Sequence, residues 1–209
     1  GSEIGEPYSG HATYDEDTLR RYCHFGTGNY NEDTARVYSD LSLLTCDEHL
    51  GADASQFFNS VTGLTRLSRF RRLFPSPAMM KEHLLELIAA ETRRATRGER
   101  SEIRAKMNSL NDPEIMTALE EASAAGVEIR LNIRGICCWV PGTAQGRACT
   151  HIVSIVDRYL EHARIFHFGN GGEPLVYIAS ADWMRRNLDR RVELMIPIMN
   201  RDLAERVKG

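Results

Sequence analysis

The chain has 209 residues, 42% hydrophobic and 26% charged, with a formal net charge of −3; it can bury a sizeable core but has no surplus of positive charge to hold a polyanion in bulk. No apolar run approaches bilayer length and the start lacks a signal-peptide pattern, so the expectation is a cytoplasmic protein with no transmembrane segment and no nucleic-acid partner. Five cysteines (23, 46, 137, 138 and 149) without C-x-x-C spacing predict buried thiols rather than disulfides or a zinc site. Gly1-Ser2 reads as a cleavage scar.

Residues 3–18 are polar with Gly5, Pro7 and Gly10 and read as a ragged entry. A strand is predicted over Leu19–Phe25, then a glycine turn, a short helix over Thr34–Val37 and a strand near Ser39–Leu44. Asp47 caps a helix that Gly63 ends near Val61. Residues 63–75 carry arginines without apolar periodicity and read as a boundary, dividing 1–75 from 76–209. Beyond it Ser76-Pro77 opens a helix with Met80, Leu84, Leu87 and Ile88 on one face. Strand Glu102–Met107, helix Asp112–Ala124 closed by Gly126, and strand Val127–Ile133 follow. This is β-α-β grammar, which implies an α/β fold with helices on the faces of a sheet. Strands near Arg164–Phe168, Leu175–Ser180 and Arg190–Ile198 and a helix from Asp202 complete it.

The stretch "HFGTGNYN" from His24 combines open backbone donors at Gly26 and Gly28 with the Thr27 hydroxyl and the Asn29 amide, a set suited to a phosphate oxygen. It recurs by residue type in "YIASADW" at a constant offset. Gly26, Thr27, Gly28, Asn29 and Tyr30 align with Ala179, Ser180, Ala181, Asp182 and Trp183, and Asp40 aligns with Glu193. Upstream of the second copy, His162 and Arg164 are two apart and share a face of a strand. A histidine nucleophile beside a fixed cation, with a hydroxyl nearby, resembles the half-site of the phospholipase-D superfamily, which supplies His-x-Lys and a downstream Gly-Ser/Thr-x-Asn twice. Here Arg164 replaces the lysine and Asp182 the asparagine; His11-Ala12-Thr13 is near the His-x-Lys form but lies in the polar entry. His24 is expected to be buried in its strand, and His167 to point away from His162. Of 26 basic residues only Lys81, Lys106 and Lys208 are lysine, and Arg185, Arg186, Arg190 and Arg191 suit either a polyanion path or a solvated face.

The strings "YCHFGTGNYNEDTARVYSDLSLLT", "KMNSLNDPEI", "IRGICC", "SIVDRYLEHARIFHFGNGG" and "YIASADWMRRNLDRRVEL", in order over about residues 19–205, resemble the C-terminal part of the polyphosphate kinase family. The resemblance implies a phospholipase-D-like mixed sheet flanked by helices, one complete domain (76–209) preceded by the tail of a related one (1–75). It implies reversible transfer of the ATP terminal phosphoryl to polyphosphate through a histidine, with magnesium. It assigns Tyr38 and Arg134 to the nucleotide, His162 to the phosphoryl group and, with Arg164, to phosphate. ATP or ADP and polyphosphate are the implied partners, and exposed sheet edges make a homo-oligomer the expected assembly. The family's phosphorylated histidine, carried further upstream, has no counterpart here, so the chain reads as a fragment or a reduced relative. A phosphodiesterase using His162 and an inactive ATP- or polyphosphate-binding module are the alternatives.

Overall fold

The computed structural model describes residues 8–15, 18–64 and 70–208; Gly1-Ser2 and part of the arginine-bearing boundary lie outside them. A first sheet is formed by β1 (Tyr8–Asp15), β2 (Thr18–Gly26) and β4 (Ser42–Thr45), all antiparallel. Residues 8–15 therefore correct the ragged entry: polar and punctuated by Gly10, they pair along their whole length with β2, and a sheet-edge strand needs no apolar run. His11 sits on β1 opposite Tyr22. Between β2 and β4 come α1 (Glu32–Ala35) and β3 (Tyr38–Ser39). The short helix starts two residues earlier than predicted because the Asn31 side chain caps it, accepting from the backbone N–H of Asp33 and Thr34. Helix α2 (Glu48–Val61) begins at the predicted cap, Asp47, whose carboxylate accepts from Leu50 N–H at 2.9 Å.

The second sheet has seven strands in the order β5-β12-β11-β10-β6-β7-β8. They are β5 (Phe74–Ser76), β6 (Glu102–Met107), β7 (Glu128–Ile133), β8 (Thr150–Val153), β10 (Arg164–Phe168), β11 (Leu175–Ala179) and β12 (Glu193–Pro197). β6, β7 and β8 run parallel and the remaining pairings are antiparallel, giving the mixed sheet flanked by helices that was expected. The helices are α3 (Met80–Thr96), α4 (Pro113–Ala125), α5 (Ala144–Cys149), α6 (Arg185–Asp189) and α7 (Arg201–Lys208). Ser76 is not a helix cap. Its hydroxyl donates to the carbonyls of Asn187 and Arg191, which ties β5 to the α6 turn, and α3 starts only at Met80. The strand predicted from Arg190 is shortened because α6 occupies the arginine run; Arg185, Arg186, Arg190 and Arg191 are exposed.

Two apolar clusters sandwich the sheet. One joins α3 and α4 to the alternate residues Ile103, Ala105, Ile129, Leu131, Phe166 and Phe168. The other joins Phe25, Leu50 and Phe57 to Val176, Ile178, Leu194 and Ile196, so the first sheet and α2 cover the β11–β12 half of the opposite face. The Asp53 carboxylate, buried in α2, accepts from three successive backbone N–H groups, Arg71, Arg72 and Leu73, and fixes the approach to β5. Of the cysteines only Cys23 is buried. Cys46, Cys137 and Cys138 are exposed because they fall in loops outside the strand pattern, which corrects the expectation of five buried thiols.

Candidate active site

A two-stranded parallel pairing brings the halves together. β3 pairs with β9 (Leu160–Glu161), Tyr38 opposite Leu160 and Ser39 opposite Glu161. The backbone N–H groups of His162 and Ala163 both donate to the Ser39 carbonyl at 3.1 Å. Tyr38 is thereby set against His162, with ring centroids 4.6 Å apart. His162, buried, is held through Nδ1 at 2.8 Å from Asp40 Oδ1, and the same oxygen accepts from the Thr27 hydroxyl at 3.0 Å. A carboxylate only accepts, so the ring carries its proton on Nδ1 and leaves the Nε2 lone pair available. Burial alone raises the Asp40 pKa; the hydrogen bond and charge of His162, the Thr27 hydroxyl and the Arg164 charge outweigh it and hold the carboxyl below its ordinary value.

Gly28 is required by this contact, since a Cβ there would lie 2.0 Å from Asp40 Oδ2. The "HFGTGNYN" turn therefore holds the carboxylate that holds the histidine. Asn29 is exposed, and His24 is half-buried beside Tyr30 rather than buried, because its strand lies on a small sheet that covers only one face.

Arg164 Nη1 lies against the His162 ring, 3.4 Å from Nδ1 and 3.2 Å from Nε2, and donates to the Thr27 carbonyl at 2.8 Å, while its Nε pairs with Asp182 Oδ1 at 3.2 Å. Asp182 also accepts from the backbone and side-chain N–H groups of Asn108. Asn108 Oδ1 in turn accepts from Arg134 Nε at 2.7 Å, and Arg134 Nε also donates to the Glu161 carbonyl at 2.6 Å. Arg134, His162 and Arg164 therefore converge within one hydrogen-bonded network, with the Tyr38 ring packed on His162, although they lie far apart in sequence. Asn108 and Asp40 were not singled out as site residues. The signal for Asn108 was topological, since it follows the carboxyl end of a strand in the parallel part of the sheet, where such folds place ligands.

The internal repeat is reproduced bond for bond. Thr27 Oγ1 accepts from Leu41 N–H and donates to Asp40; Ser180 Oγ accepts from Leu194 N–H and donates to Glu193. The two copies meet where Phe25 and Gly26 line a small cavity with Ala179 and Ser180. They differ in what the carboxylate receives, His162 on Asp40 but the Asn187 amide on Glu193.

The mixed α/β sheet thus carries a paired hydroxyl–carboxylate repeat, one copy of which orients a histidine beside an arginine. The comparisons supply the family. Residues 73–209 match the model of the polyphosphate kinase C-terminal domain 2, and residues 12–67 that of the C-terminal domain 1. The chain belongs to the polyphosphate kinase family. It is 52% identical over 190 residues to a polyphosphate kinase of Rhodopirellula baltica, covering 91% of this chain and 22% of that protein. A polyphosphate kinase of Thermosynechococcus vestitus is 51% identical over 180 residues, 86% of this chain and 25% of that one. The solved polyphosphate kinase of Porphyromonas gingivalis superposes with a TM-score of 0.86 at 40% identity, over 94% of this chain and 30% of that one. The chain thus spans about a quarter of the length of the curated relatives it matches. Among the described residues no helix is long and apolar enough to cross a membrane.

Proposed function

We propose that the chain carries the nucleotide- and phosphate-binding half-site of a polyphosphate kinase, which moves the terminal phosphoryl of ATP reversibly to a polyphosphate chain through a histidine. The observation that carries this reading is the placement of His162: Asp40 takes Nδ1, and the Arg164 guanidinium lies against the ring, with Nη1 3.4 Å from Nδ1 and 3.2 Å from Nε2. A neutral imidazole so held is a competent nucleophile. In this reading His162 takes the covalent step that the family resemblance places on a histidine upstream of this chain: a bond forms between Nε2 and the terminal phosphorus while the bond to the bridging oxygen breaks, and ADP leaves with that electron pair. A terminal oxygen of the phosphate chain then attacks the phosphorus and returns the lone pair to Nε2.

Arg164 is fixed by Asp182 and the Thr27 carbonyl, so its charge meets the moving phosphoryl without reorganisation. Arg134, anchored by Asn108 and the Glu161 carbonyl through Nε, has its other guanidinium nitrogens for the nucleotide phosphates, and Tyr38 lies alongside. Among the described residues no three carboxylate, imidazole or thiol groups gather as a metal site; in this reading magnesium arrives with ATP, as part of the substrate.

The test is incubation of the purified chain with magnesium and ATP labelled on its terminal phosphate. Acid-labile, base-stable label that is lost in His162→Ala and chases into added polyphosphate is the expected result. ATP binding with no label would move the covalent step to a histidine outside this chain and reduce His162 and Arg134 to gripping the substrate.

A further inference from the structure

The face of the seven-stranded sheet opposite α3 and α4 is covered over β11 and β12, but over β10, β6, β7 and β8 it opens into a cavity of about 590 Å³. Across its floor runs a row of basic side chains: His167 stands opposite Arg104, Arg104 opposite Arg130, and Arg130 opposite His151. Like charges directly opposed on neighbouring strands cost stability. Each arginine has a carboxylate two residues back on its own strand, Glu102 for Arg104 and Glu128 for Arg130, but in both pairs a single oxygen takes Nε and Nη2. The Nη1 edges stay available.

His167, only 3% exposed, lines the cavity with neither ring nitrogen hydrogen-bonded. Such a buried polar group calls for a ligand or water to satisfy it. Burial lowers its pKa, so it offers a neutral N–H donor rather than a charge.

The sheet face that floors the cavity leads toward the active site. On this face β6 carries Arg104 and Lys106 and β7 carries Arg130 and Asn132, and Asn108 and Arg134 follow one residue beyond the ends of those strands. Asn108 and Arg134 are the pair already described at the site. Between them and the row, the Lys106 amine pairs with the carboxylate of Glu161, whose carbonyl accepts from Arg134. At about 3.3 Å per residue the row lies about 13 Å from Arg134.

We propose that this groove is a path for the phosphate chain, and that a linear polyphosphate engaged at His162 and Arg134 continues along β6 and β7 to the Arg104–Arg130 row. The proposal rests on the reading of the site as one for ATP and polyphosphate. Glu102, Glu128 and Glu161, with Glu205 paired to Lys208 at the rim, offset the groove's cations nearly one for one. Retention therefore comes from paired N–H donors in register with successive phosphates, not from bulk charge, and favours chains long enough to reach the row.

The test is equilibrium binding of ATP, tripolyphosphate and long-chain polyphosphate to the wild-type chain, Arg104→Gln, Arg130→Gln and the double variant. Long-chain affinity is expected to fall about tenfold for each arginine, with ATP and tripolyphosphate unchanged. Unchanged long-chain affinity in the double variant, or an equal loss for all three ligands, overturns the path. A wild-type chain that binds ATP but does not prefer the long chain overturns the path alone; one that binds none of the three overturns the reading of the site as well. A second measurement needs no variant: long-chain polyphosphate, and not tripolyphosphate, should protect Arg130 from an arginine-directed reagent, and equal reactivity with both contradicts the proposal.

Discussion

Asp40→Asn separates the structural from the chemical role of the carboxylate at the centre of the site. The substitution keeps the shape and an acceptor oxygen but removes the charge that receives both the Thr27 hydroxyl and His162 Nδ1. A hydrogen bond to a charged group contributes about 1.5–3 kcal/mol against about 1 kcal/mol for a neutral pair, so two weakened bonds set a ceiling of about 4 kcal/mol. The Asp40 side chain is 27% exposed, and screening reduces this to about 1–2 kcal/mol. For a chain of this length that lowers the unfolding midpoint by about 3–6 °C. Phosphoryl uptake from labelled ATP should fall much further, about 10²–10⁴-fold, because an amide can present N–H to Nδ1 and move the ring proton onto Nε2. Asp40, held below its ordinary pKa in the fold, contributes stability above pH about 4 that is lost as pH falls through its lowered value. The variant should therefore converge with the wild type in acid. Calorimetry and the labelling assay together decide: a lowered midpoint with undiminished uptake refutes the claim that Asp40 orients His162.

Gly28→Ala places a methyl group against the Asp40 carboxylate and should reproduce the loss of uptake with little change in ATP affinity; normal uptake would mean that Asp40 has another equivalent position. Lys81→Met strands the fully buried Asp112, which faces Lys81 Nζ at 3.0 Å, and should cost about 3 kcal/mol in urea unfolding; a neutral result would show that the ion pair is dispensable. His83 and His167 both have pKa values lowered by burial, so the unfolded chain takes up protons near pH 6.5 that the native state refuses. Stability should be complete above that pH and decline by up to about 1.4 kcal/mol per pH unit per histidine as pH falls below it, and a flat profile between pH 7.5 and 5.5 would refute this.

Helix α4 and strands β6, β7 and β10 were legible because their caps and periodicity act locally: Asp112 before Pro113, Gly126 after α4, and the alternation along each strand. β1, β8 and β9 were not, since each is held by pairing to a distant strand and carries no apolar pattern of its own. The same distinction holds at the site. The Thr27–Ser180 correspondence could be read from residue types and proved to be a shared hydrogen-bond geometry. That Asp40 would reach His162 across 122 residues could not, because it depends on the β3–β9 pairing, which positions Tyr38 and His162 together. Ser76-Pro77 has the local signature of a helix start, but the Ser76 hydroxyl is drawn to the α6 turn by tertiary contacts that no local pattern announces.

The central claim is that residues from both parts of the chain form one site for the phosphates of ATP, and titration calorimetry of ATP with magnesium tests it most directly. The account predicts saturable binding that weakens more than about tenfold in Arg134→Ala, since a charge-assisted phosphate contact is lost. The unfolding midpoint should move little, because Arg134 is half-buried at the end of its strand. Binding that survives Arg134→Ala and His162→Ala together would contradict the site as described.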